Sequence, residues 1–140
     1  MPPDFVKARF YYAQGAELAD RMCWEKLSQY CHNGIGGAHD QASAYYWISL
    51  ETRCVDPRSI GGKEAWAQRE EIAALLPIKE LKRQWERIDQ YIAQVRAGKI
   101  SVYSTPFGKG LFHPDESKEG AKLSDEYEAR HRERMGLRGT

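Results

Sequence analysis

The chain has 140 residues, of which 41% are hydrophobic, 11% aromatic and 29% charged, enough for the core of one domain and too short for two of ordinary size. Twenty-one Lys and Arg stand against 20 Asp and Glu, and a net charge of +1 lacks the basic excess on which bulk nucleic-acid and anionic-membrane binders depend. No apolar run approaches the ~20 residues of a membrane-spanning helix, and three cysteines cannot all pair within one chain.

The opening Met1-Pro2-Pro3-Asp4 has neither the basic start nor the apolar run of a secretory signal. As given, the sequence predicts a cytoplasmic protein, and a periplasmic one if a signal has been removed. Helical spacing of apolar residues is frequent over residues 1–97 and period-2 alternation is not convincing anywhere there. A short helix is predicted over 4–17, and a second over 18–33. Gly34-Ile35-Gly36-Gly37 then supplies the left-handed or tight conformations of a helix–helix turn, and Asp40 is a good N-cap for a third helix over 40–54. A fourth helix over 62–75 follows Gly61-Gly62 and carries Ala65, Trp66, Ile72, Ala73 and Leu75. The strongest pattern is Ile78, Leu81, Trp85, Ile88, Ile92 and Val95, which predicts a helix over 77–97 with Pro77 in its first turn and Gly98 at its end.

Composition changes near residue 98. All four Trp lie before it and six of the 12 Gly lie after it, although both parts are charge-balanced, 13 basic against 13 acidic and then 8 against 7. Residues 1–97 therefore read as the packed helical domain and 98–140 as a largely irregular tail. Within the tail, Ser104-Thr105-Pro106-Phe107-Gly108-Lys109-Gly110 and His113-Pro114 predict extended or irregular chain. Val102, Tyr103, Phe107, Leu111 and Phe112 are apolar enough to cover the last helix pair or to dock on another chain. A terminal helix is expected over 124–135, capped by Ser124, with Glu126–Arg130 and Glu128–Arg132 as four-apart ion pairs. Its apolar face is thin, so it is expected to project into solvent or bind a partner.

A shift of 36 positions aligns Asp4 with Asp40, Ala8 with Ala44, Tyr11 with Trp47 and Asp20 with Asp56, an offset equal to one helix–turn–helix unit. Leu27-Ser28, Cys31, Gly34, Gly36, Asp40, Ala44 and Trp47 resemble the Sel-1-like repeat, a relative of the tetratricopeptide repeat. Residues 20–55 would form one nearly complete repeat and 4–19 half of the preceding one, and the resemblance covers about 4–97. Ser28 stands where the pattern has Gly, Cys31 where it has Tyr, and Glu51-Thr52 where it has Ala-Ala, so the expected repeat is degenerate. The resemblance implies an all-α fold, a short αα-solenoid, and a scaffolding or adaptor role without catalytic residues or cofactor. A bacterial immunity protein that neutralises a toxin is one narrower form of that role.

Several constellations bear on chemistry. The glycine turn lacks the Lys and the Ser or Thr that end a phosphate-binding loop. Cys31, His32 and His39 form the nearest approach to a metal set, and they support the rival reading, a metal-binding or enzymatic module, although their spacing is not that of a zinc site. Cys23 and Cys31 are separated by ~12 Å along one helix, and Cys31 lies close to the glycine turn while Cys54 lies far from it, which leaves Cys23–Cys54 as the geometrically plausible disulfide, against three buried free thiols as the commoner outcome. Glu70-Glu71 reads as a solvated helix face. Phe10-Tyr11-Tyr12 and Tyr45-Tyr46-Trp47 span too much of a helix circumference for all rings to enter one core. Tyr12, Tyr45 and Tyr46 therefore either pack between units or reach an exposed groove, which Arg21, Glu25 and Gln29, on the other side of their helix from Leu27 and Cys31, would also face. The expected partner is another protein, with self-association as a third reading; no nucleic acid and no membrane insertion are expected.

Overall fold

The computed structural model describes residues 4–102 and 118–138, and the irregular segment expected around Ser104–Gly110 and His113-Pro114 lies outside them. The described residues form an all-α bundle of six helices with no strand: α1 (Phe5–Glu17), α2 (Arg21–Asn33), α3 (Gln41–Arg53), α4 (Ile60–Ala73), α5 (Ile78–Arg96) and α6 (Lys118–Arg138). None of these helices is long and apolar enough to cross a membrane.

Helix ends follow local chemistry. Asp4, Asp20 and Asp40 cap α1, α2 and α3, each accepting a first-turn backbone N–H. Asp4 and Asp40 do so in the same way, from Lys7 and Ser43 at 3.0 Å, as the 36-residue offset anticipates. The parallel ends at Asp56, which holds Arg58 while Ser59 caps α4. That Ser59 cap starts α4 two residues before the predicted boundary. Gly98, at φ +75°, closes α5 as expected.

The turn after α2 reverses the chain. Gly34 and Gly36 lie at φ +68° and +70°, and a Cβ on Gly36 would fall 2.2 Å from the carbonyl oxygen of Phe5. Cross-helix contacts pair Arg21 with Glu51, Ser28 with Ala44 and Cys31 with Asp40. One number rises as the other falls, so α2 and α3 are antiparallel. Ser28 is fully buried and its hydroxyl donates to the Ala44 carbonyl at 2.8 Å, so the larger side chain at a close helix crossing is held by a hydrogen bond.

Helix α3 is the centre of the bundle. It packs against α2, α4, α5 and α6, and nine of its residues are buried. The core comprises Trp24, Leu27, Ala44, Ile48, Leu50, Ile72, Leu81, Ile88, Ile92 and neighbouring residues. Tyr45 and Tyr46 lie inside this centre rather than in an exposed groove, because both faces of α3 are covered.

The C-terminal helix departs furthest from expectation. It runs from 118 to 138, not 124 to 135, and it does not project: Ser124, Glu128, His131 and Met135 are buried against α3, α4 and α5. Ser124 is no N-cap but accepts a hydrogen bond from Arg53 Nε at 3.0 Å. Glu128–Arg132 forms as predicted at 2.9 Å, whereas Arg130 Nε donates to the Glu126 backbone carbonyl rather than to its carboxylate.

Candidate functional site

Two features stand out from the packing: an apolar face left exposed on α1, and a polar cluster sealed beneath α6.

Helix α1 packs on α2 through Phe5 and Tyr12, whose rings meet Tyr30 edge-on at 6.2 and 5.2 Å. Its other side shows Val6 at 68% exposure, Phe10 at 60% and Tyr11 at 55%, with Leu18 and Met22 also exposed beyond it. Phe10 and Tyr11 touch edge-on at 5.9 Å. Phe10-Tyr11-Tyr12 is thus divided, Tyr12 half-buried and the other two outside.

The polar face read from the sequence is on the surface but largely engaged with itself. Arg21 forms an ion pair with Glu51 at 3.2 Å, and burial raises the Glu51 carboxyl against the opposing pull of Arg21. Gln29 donates to Glu25 at 3.5 Å. Tyr46 is covered by the Arg87 guanidinium, 4.1 Å from its ring centroid.

The sealed cluster centres on Arg69 of α4, fully buried because it shares a helix face with Trp66, Ile72 and Ala73. Its guanidinium forms a two-pronged ion pair with Glu128 of α6 and donates to Tyr45 Oη at 3.2 Å and to Thr52 Oγ1 at 3.3 Å. The fork outweighs burial, holding the Glu128 carboxyl far below the usual carboxylate range and the guanidinium charge more firmly than in water. Tyr45 Oη accepts from Trp85 Nε1 at 2.8 Å and from Arg69, so its own proton goes to His131 Nε2 at 2.7 Å. His131 Nδ1–H in turn donates to Glu70 Oε1 at 2.8 Å. The imidazole is therefore the neutral Nδ1–H tautomer; burial, then the nearby Arg69 charge, bring its pKa down to about 4.

Around this cluster, Arg132 grips Asp89 through both nitrogens at 2.7 and 2.9 Å, and Arg53 and Arg96 share Asp125. A groove of about 690 Å³ is lined by these paired charges together with Ile92, Ala93 and Ala129. Glu70 is not a solvated carboxylate: it is half-buried and takes hydrogen bonds from His131 and Arg134, which outweigh burial and lower its pKa. Glu71 is exposed, 3.8 Å from His32.

Sequence reasoning passed over Arg69 and His131, and it placed Glu128 only as the partner of Arg132. A signal was present in Ser124, Glu128, His131 and Met135, spaced four, three and four apart, one face of a helix. A search for apolar periodicity passes over it because three of those four are polar.

The Cys31/His32/His39 set has other engagements. Cys31 Sγ accepts from Arg9, His32 Nδ1–H donates to Gln41, and His39 Nδ1–H donates to the His32 carbonyl. Among the described residues no three His, Cys, Asp or Glu side chains converge as a metal set. All three cysteines are free thiols, so Cys23–Cys54 is not a disulfide here. Burial pushes Cys54 up to about 12 and, with Asp20, Cys23 up to about 11, which keeps both protonated near neutrality.

Comparison of the chain with protein-family models, with curated proteins and with solved structures finds no match. The likeness to Sel-1-like repeats therefore stands on the residues quoted above.

Proposed function

We propose that this protein is a non-catalytic recognition module or adaptor that binds another protein through the outward face of α1 and the start of α2. The observation that carries this reading is the exposure of Val6, Phe10, Tyr11, Leu18 and Met22 on one end of the bundle. Single exposed apolar residues are ordinary, whereas grouped ones that include large rings mark association surfaces. This face replaces Tyr45 and Tyr46, which are buried.

The finer reading, a degenerate Sel-1-like array in α1 to α5, draws support from the matching Asp4 and Asp40 caps, the antiparallel α2–α3 hairpin and the packing of α3 on α5. The toxin-neutralising form of the adaptor role follows from the resemblance alone.

The test places a photo-crosslinking phenylalanine analogue at Phe10 of the full chain in its host cell, with the same analogue at Leu75, 56% exposed on another part of the surface, as control. A discrete adduct with a second protein from position 10 only, abolished by Val6→Glu, is expected. Equal adducts from both positions overturn the reading, and an adduct with another copy of this chain replaces it with self-association.

A further inference from the structure

Between α4 and α6 lies an open pocket of about 270 Å³, lined by Trp66, Ala67 and Glu70 of α4 and by Tyr127, Arg130 and Arg134 of α6. Small-ligand sites begin at roughly 300 Å³, so a body of one or two fused rings is enough to fill this one. Its walls are aromatic. The Trp66 and Tyr127 rings stand 6.0 Å apart between centroids with their planes tilted by 50°, neither stacked nor edge-on, so they do not use up each other's surface. Ala67 is exposed, and its short side chain takes up little of the space.

The charges of the pocket do not balance. Glu70 accepts from the neutral His131 and from Arg134, so Glu70 and Arg134 neutralise one another. Arg130 has no such counter-ion among the described residues: its Nε donates to the Glu126 backbone carbonyl at 3.4 Å, and its guanidinium lies over the Tyr127 ring, 4.7 Å from the centroid. Two guanidiniums against one carboxylate leave a surplus positive charge on an aromatic wall. The larger groove lined by Arg53, Arg96 and Arg132 is different, since Asp89, Asp125 and Glu128 match its three guanidiniums one for one.

We infer that this pocket binds a small aromatic carboxylate, a planar ring bearing one acid group on a short arm. The ring lies against Trp66 and Tyr127, and the carboxylate meets the Nη1 and Nη2 edge of Arg130, which a planar guanidinium offers as two parallel donors. The Nε bond and the Tyr127 ring already hold that guanidinium in place, so little side-chain freedom is lost on binding. The aromatic walls alone would also suit a cation. A cationic ligand meets the surplus positive charge, however, and the one carboxylate present is engaged by His131 and Arg134. An inorganic anion satisfies Arg130 but leaves the rings wet. The pocket is built from α4 and α6, and its test involves no residue of the α1 face.

The test titrates the full-length chain with indole-3-acetate, with its neutral amide indole-3-acetamide, with the cation tryptamine and with inorganic phosphate. Binding is read by calorimetry and by the indole N–H resonance of Trp66 in nitrogen-15 NMR spectra. Indole-3-acetate is expected to shift that resonance and to bind at least about tenfold tighter than the other three probes. Arg130→Gln is expected to bring indole-3-acetate down to the level of the amide, and Ala67→Leu, which fills the pocket from α4, to remove its binding. Both positions are exposed, and Arg130 makes no ion pair among the described residues, so urea unfolding of both variants is expected to match that of the unaltered chain, which separates a lost ligand contact from a lost fold. No binding of indole-3-acetate at millimolar concentration, equal binding of the amide or of phosphate, or unchanged affinity in either variant overturns the site.

Discussion

Acid should destabilise this protein through one histidine, between its ordinary pKa and the lowered value it has in the fold. His131 is neutral in the fold, donating to Glu70 and accepting from Tyr45, and its pKa is lowered from 6.5 to about 4. Protonation would leave Nε2 with a proton facing the Tyr45 hydroxyl and a positive charge near Arg69. Since the unfolded chain takes up that proton first, stability is present above pH 6.5 and drains away as the pH falls toward 4. A displacement of 2.5 pH units corresponds to a full loss of about 3 kcal/mol, of which about 2 kcal/mol falls between pH 7.5 and 5. Other groups titrate nearby with other signs. Glu128 and Glu70, lowered in the fold, lose stability only below the ordinary carboxylate range, and Glu51, raised by burial, acts in the opposite sense. The comparison is therefore with His131→Gln, in which those groups remain. Urea unfolding of both proteins at pH 7.5, 6.5, 5.5 and 5 should give a slope in the unaltered chain that largely disappears in the variant. Equal slopes, or an imidazole NMR titration that places His131 near 6.5, would refute the neutral-tautomer assignment.

Three further outcomes are expected. Glu128→Gln leaves the Arg69 charge buried without a counter-ion and should cost about 3–5 kcal/mol in urea unfolding, while joint replacement by Arg69→Met and Glu128→Leu should recover most of that loss. Gly36→Ala forces a side chain into a left-handed position and onto the Phe5 carbonyl, and should lower stability by at least about 2 kcal/mol. Cys54, fully buried with its thiol raised to about 12, should resist a disulfide-exchange reagent at pH 8 in the folded protein and react fully in urea.

Much of the architecture was legible because it rests on local rules. The α5 stripe from Ile78 to Val95, the aspartate caps and the Gly34–Gly36 reversal each depend on neighbours a few residues away, and each appears in the fold where the pattern puts it. Helix α4 was displaced by two residues because the Ser59 cap competes with the glycine pair as a boundary signal. The α6 surface was legible only as charge. Alternating Glu and Arg read as a solvated helix, and nothing near them in sequence reports that Arg69, 59 positions earlier, supplies the counter-charge.

The sequence by itself determined the five helical segments before residue 98 and that two of them turn back on each other, because spacing, capping and glycine conformation act over one or two turns. Tertiary structure alone decided what is inside. Tyr45 is buried rather than displayed because α4, α5 and α6 all close on α3, and His131 is neutral because the same closure buries it and brings it near the Arg69 charge, 62 positions earlier in the chain. Burial of polar groups is settled by partners brought together in space, and the energy that distinguishes a paired charge from an exposed one has no counterpart in the order of residues along the chain.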